Sequence, residues 1–397
     1  MDTRGIARDF MDMVRHAANP SVGALGKGAK AEGTGAVAVG DKAMAKGEDA
    51  LAVGNAAGAH GKSTTAVGGE SAAEGTAATA FGWQAMASGE RAHAFGHLAK
   101  AKGDFSLAIG EAAQARSDNA SAIGNASAAK GADALAVGDM AKAHGTSTTA
   151  VGGESAAEGT AATAFGWQAM ASGERAHAFG HLAKADGDFS LAIGEAAGAT
   201  GPNATAIGNG AMSKGVDALA VGDMAKAHGT STTAVGGESV AEGTAATAFG
   251  WQAMASGERA HAFGHLAEAK GDYALAVGEG ASANYANSAA IGANAEATAA
   301  NEFVLGNADN FYTLAGLADE VGKGSSEFLV VDDHGRLSSF GLEDLYAKDH
   351  PDGDGMLADL EMAMGAKPDP APAVDPMPVI DFADDGRDLM DDDGPLS

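Results

Sequence analysis

The chain has 397 residues, with 53 acidic and 25 basic side chains, a formal net charge of −28 and no cysteine. That balance speaks against nucleic acid, which needs a basic stripe, and against docking on anionic lipid. Lack of cysteine excludes disulfides and thiolate chemistry. Aromatics are only 5% while 59 residues are Gly, so a narrow repetitive architecture fits better than an ordinary core.

Residues 1–20 predict an N-terminal cap. An amphipathic helix over 5–16 would place Ile6, Phe10, Met13 and Val14 on one side. No apolar secretory region follows, and no run of about 20 apolar residues offers a spanning helix. Direct membrane insertion is therefore not expected.

From residue 21 a repeat takes over. The glycine closing each x-Ala-x-Ala-(Val/Ile/Phe)-Gly segment recurs every 14 residues from Gly26 to Gly306, 21 times without a slip. A second glycine follows seven residues later in most coils, as at Gly47, Gly61, Gly75 and Gly89. In the coil around Gly54, Ala50 and Ala52 alternate with Leu51 and Val53, then Ala57 and Ala59 share a face. Period-two alternation marks strands. The expectation is an all-β solenoid over 21–306, with two short strands and two tight turns per coil. Glycine is expected to supply the positive-φ positions of both turns. Helix is excluded by two glycines per coil, and collagen by the lack of a three-residue glycine period.

Alanine faces can fill only a thin bore. The other face carries Val39, Val53, Val67, Phe81, Phe95 and Ile109, a stripe too large to stand exposed on a soluble monomer. Packing against sister chains is predicted.

A longer period of 84 residues, six coils, lies over the first. Trp83, Trp167 and Trp251 share it, as do His93, His177 and His261. The tryptophans directly follow a turn glycine. They could stack on a sugar or anchor a protein, or pack over a neighbouring coil. The histidines fall on the face assigned to sister chains, where their copies would meet in a polar layer. His97, His181 and His265 are expected to be solvated.

The coil Asn119-Ala120-Ser121-Ala122-Ile123-Gly124 resembles the head repeat of YadA-like trimeric autotransporter adhesins, in motif and in 14-residue phase. The resemblance covers about residues 21–306. It implies a left-handed parallel β-roll, trimerised side by side, and a non-catalytic role in surface attachment. Residues 301–316 are similar to the neck-like closure after such heads. Family members usually carry an export signal and a membrane-anchoring barrel, and neither is seen in this sequence.

Beyond the roll, 307–365 predict a neck: a hairpin with strands near Phe328–Val331 and Arg336–Phe340, then short helices at Leu342–Ala347 and Met356–Met364. Residues 366–397, rich in Pro and Asp, predict a disordered acidic tail. Asp349, Asp352 and Asp354 lack the twelfth-position Glu of a calcium loop, because Leu360 stands there. No Walker, G-x-S-x-G or H-E-x-x-H motif occurs, so no catalytic, cofactor or metal residues are assigned.

Two functions compete. The first is an adhesin head at the cell surface or outside the cell, a homotrimer meeting an extracellular matrix protein or a glycan by multivalent contacts. The alternative is a fibre or spike of a phage-like particle, on the virion. Ice binding would need a threonine ladder on every coil, and Ser63-Thr64-Thr65 recurs only at Ser147 and Ser231.

Overall fold

The computed structural model describes residues 23–312 and the strands 327–331 and 337–341. The N-terminal helix, the two short C-terminal helices, the Asp349 segment and the acidic tail all lie outside the described residues.

Residues 23–310 wind into a parallel β-solenoid. Three-residue strands, from Gly23–Leu25 to Phe303–Leu305, build one sheet of 21 strands. Two-residue strands, from Lys30–Ala31 to Glu296–Ala297, stack into the second. Every residue pairs with the one 14 positions on: Val37 with Leu51, Ala38 with Ala52, Val39 with Val53. At about 4.8 Å per coil, 20 steps make a roll roughly 100 Å long.

Backbone groups are satisfied between coils. The Leu51 amide donates to the Thr64 carbonyl and the Gly54 amide to the Val39 carbonyl, each at 2.8 Å. Both turns have one design. The Ala57 amide donates to the Gly54 carbonyl, and the Ala50 amide to the Gly47 carbonyl, each at 3.3 Å.

Here the structure corrects the assignment of positive φ to both glycines. The first glycine has it: Gly54 lies at φ 136°, Gly82 at 138°. The second, such as Gly47 or Gly61, does not. In both turns the left-handed residue stands two places after the glycine and is mostly not glycine, as with Asp49 (φ 54°), Ala56 (52°), Arg91 (53°) and Leu98 (60°). The second glycine serves close approach instead. A Cβ at Gly47 would overlap the Gly61 carbonyl in the next coil. Ser117, Tyr285 and Ala299 take that place in three coils.

The bore is alanine. Ala50, Ala52, Ala57 and Ala59 of one coil are fully buried, and the pattern recurs along the roll. Hydroxyls enter it where they relieve a turn. Buried Thr64 donates to the Gly61 carbonyl at 2.7 Å, as Thr148 does to Gly145 and Thr232 to Gly229. A side chain three residues past the turn carbonyl reaches it directly.

The expected hairpin is present: Glu327–Val331 pairs antiparallel with Leu337–Gly341, with Val331 opposite Leu337.

Candidate functional site

Turn positions in successive coils form columns along the roll, and one column recurs in all three 84-residue modules. In the first it runs Gly69, Trp83, His97, Glu111. Trp83 and His97 stack with ring centroids 5.0 Å apart and planes 28° from parallel. The His97 Nδ1 lies 3.3 Å from the Glu111 carboxylate. Gly69, in the coil before, has no side chain to lay over the indole, and Trp83 stays 49% exposed. The second and third modules repeat this as Trp167–His181–Glu195 and Trp251–His265–Glu279. Beside each indole a glutamine amide donates to a carboxylate: Gln84 to Glu70 and Gln168 to Glu154 at 2.7 Å, Gln252 to Glu238 at 2.8 Å.

Each tryptophan thus presents a rigid, half-open aromatic face rimmed by fixed polar groups. Successive platforms are six coils, or about 29 Å, apart. His97, His181 and His265 are partly solvated, as expected. They are also structural partners of the tryptophans. The 14-residue offset from Trp83 to His97 carries that signal, because the ladder makes residue i a neighbour of i+14.

A second motif repeats with the same period. The guanidinium of Arg91 sits 5.5 Å from the Phe105 ring centroid, Arg175 likewise over Phe189, and Arg259 over Tyr273 at 5.6 Å. Cation–π contacts of this kind, on an exposed turn, stabilise by roughly 0.5–1 kcal/mol.

His93, His177 and His261 lie elsewhere. Each is the first residue of a three-residue strand, on the outward face of the first sheet, half-buried. His93 pairs with Thr79 and Leu107 in adjacent coils, and its ring centroid lies 6.2 Å from that of Phe95. Next to this column runs the apolar row. In the single chain Phe81 is 54% exposed and Phe95 38%, with Ile109, Phe165, Phe179, Ile193, Phe249 and Phe263 also exposed.

Among the described residues no three His, Asp or Glu side chains gather into a metal-binding group. No helix there is long and apolar enough to cross a membrane.

Comparison with known proteins follows the coil phase. Among solved structures the collagen-binding domain of Yersinia adhesin YadA is similar at 20% identity, covering 57% of this chain and 80% of that domain, with a TM-score of 0.12. At that score the fold rests on the ladders described above and not on the superposition. No curated protein matches the chain. The family model described as "YadA head domain repeat (2 copies)" matches residues 24–43, 45–127, 129–211, 213–239, 241–267 and 269–295. Those matches cover most of the roll and, from residue 45 on, step in multiples of the 14-residue coil, so the chain belongs to the YadA head-repeat family, and its fold and family are those of an adhesin head.

Proposed function

We propose that this chain is the head of a homotrimeric adhesin, displayed at a cell surface, which attaches to a matrix protein or glycan through repeated weak contacts. The observation that carries the reading is the outward apolar row of the first sheet. Phe81, Phe95, Ile109 and their counterparts in later modules lie one coil apart in an unbroken line. Such a continuous stripe calls for a partner surface, and a second and third copy of the same roll match it in length and spacing. His93, His177 and His261, one column over, would then form polar layers within the seam.

Trp83, Trp167 and Trp251 are the proposed ligand contacts. An aromatic face with a polar rim suits the apolar face of a sugar ring or a side-chain anchor. Nine platforms on one trimer would turn modest single contacts into avidity. The solved relative bears the name of a collagen-binding domain, which makes collagen a first ligand to try.

Light scattering on the purified chain tests the assembly: the expected mass is three times 38.8 kDa, and a soluble single chain would overturn the trimer. Attachment is then measured on collagen-coated surfaces and a glycan array. Changing all three tryptophans to Ala should abolish it without changing the mass, and undiminished attachment would remove the tryptophans from the site.

A further inference from the structure

On a chain with net charge −28, one short stretch of the second sheet is strongly basic. Its outward positions fall in two columns. In one, Lys102, Arg116 and Lys130 occupy three successive coils, followed by His144. In the other, Lys100 and Lys142 flank Gln114 and Ala128. Lys102, Arg116, Lys130 and Lys142 are exposed. None of these five cations forms an ion pair among the described residues; the lysine pairs are those of Lys62, Lys184 and Lys270.

The nearest turn carboxylates are committed elsewhere. Asp104 accepts the Glu90 amide at 2.8 Å and Asp118 the Asp104 amide at 2.9 Å. Arg116 is held flat on the sheet by Gln114, its Nε at 3.1 Å and its Nη2 at 2.5 Å from the Gln114 carbonyl oxygen. The local field is felt by His144, whose pKa is lowered first by burial and next by Lys130, with Lys142 and Arg116 adding to it against Glu158.

The other modules act as an internal control. At the positions of Lys100 and Lys102 the second module has Lys184 and Asp186, which pair at 2.9 Å. The third has Glu268 and Lys270, paired likewise. At the position of Arg116 stand Thr200 and Asn284. Lys130 and Lys142 recur in the second module as Lys214 and Lys226, so what sets this stretch apart is unpaired Lys100 and Lys102 together with Arg116, and equivalent coils stack without those three.

We propose that Lys100, Lys102, Arg116, Lys130 and Lys142 form a docking strip for a sulfated polysaccharide chain. The strip spans three coil steps, roughly 14 Å, and two columns about 7 Å apart. That is narrow enough for a single polymer chain, whereas a duplex would overlie the carboxylates on either side. No aromatic residue interleaves the cations, so bases would find nothing to stack on. Sulfates spaced along a saccharide match lysines spaced along a ladder. The strip lies on the second sheet, opposite in the coil to the apolar row, so side-by-side trimerisation through that row leaves it open to solvent.

The inference rests on the adhesin reading for its biology, while its chemistry stands independently. Calorimetric titration of the full chain with a heparin octasaccharide at low salt tests it. Binding should weaken steeply as salt rises, through release of condensed counterions. The double substitution Lys102→Asp with Arg116→Thr, which copies the second module, should weaken binding about tenfold or more by loss of charge contacts, with the circular dichroism spectrum unchanged. Unchanged affinity in that variant would overturn the proposal, as would equal binding of fully desulfated heparin or preferential binding of a single-stranded DNA of the same length. Substituting Trp83, Trp167 and Trp251 with Ala should leave heparin binding intact, which separates failure of the strip from failure of the tryptophan platforms.

Discussion

Ala161 and Gly166 sit five residues apart in one coil and answer to opposite constraints. Ala161 holds the left-handed place of its turn at φ 56°, donating its amide to the Thr146 carbonyl at 2.9 Å. An L-residue there costs roughly 1–2 kcal/mol, which the inter-coil hydrogen bond offsets. Gly28, Gly35, Gly210 and Gly280 occupy the same turn position in other coils, so glycine is compatible with it. Ala161→Gly should therefore raise stability by up to about 1 kcal/mol, partly countered by the greater freedom of glycine in the unfolded chain. Gly166 lies at φ 138°, and a Cβ there would overlap the Gly180 carbonyl. Gly166→Ala should cost roughly 1–3 kcal/mol from backbone strain alone, with the overlap adding to it. Urea unfolding of the two variants checks the pair; a stabilised Gly166→Ala would show that the turn geometry is misread.

The coil is the element of this protein, and its bore tolerates almost nothing larger than alanine. Four fully buried alanines per turn, at Ala50, Ala52, Ala57 and Ala59, bring the two sheets so close that a larger aliphatic chain would overpack them. Coils contact mainly their neighbours, so the roll behaves as a one-dimensional stack. Removing residues 125–138, one whole coil, rejoins Gly124 to Asp139 in phase and should leave the melting profile and protease resistance unchanged. Removing residues 125–137 leaves one coil a residue too long and turns its bore side chains outward. That second deletion should create a cleavage site at the junction under limited proteolysis. Equal resistance of both deletions would mean that register is not what holds the stack.

At the scale of the whole molecule the apolar row sets the behaviour. Phe95, Phe179 and Phe263 are exposed at matching points of the three modules. Changing all three to Asp puts like charges opposite one another wherever sister rolls meet, and an unpaired charge within such a seam is strongly unfavourable. The measured mass should fall from three chains to one while the parallel ladders, made within each chain, keep their circular dichroism signal. A variant that remains trimeric would move the seam to another face.

Much of this was open to view in the letters alone. Gly26 to Gly306 announces the coil length, the alternation around Leu51 and Val53 announces two faces, and the recurrence of Trp83 announces three modules. Such features are legible because a solenoid converts sequence period directly into spatial period. Folding added what depends on neighbours 14 residues away and on backbone torsion. The stacking of Trp83 on His97, the pairing of Lys184 with Asp186 against the unpaired Lys100 and Lys102, and the left-handed places of Ala56 and Arg91 are of that kind. Composition cannot disclose them, because a turn residue's torsion and a charge's partner are settled only when one coil is laid upon the next.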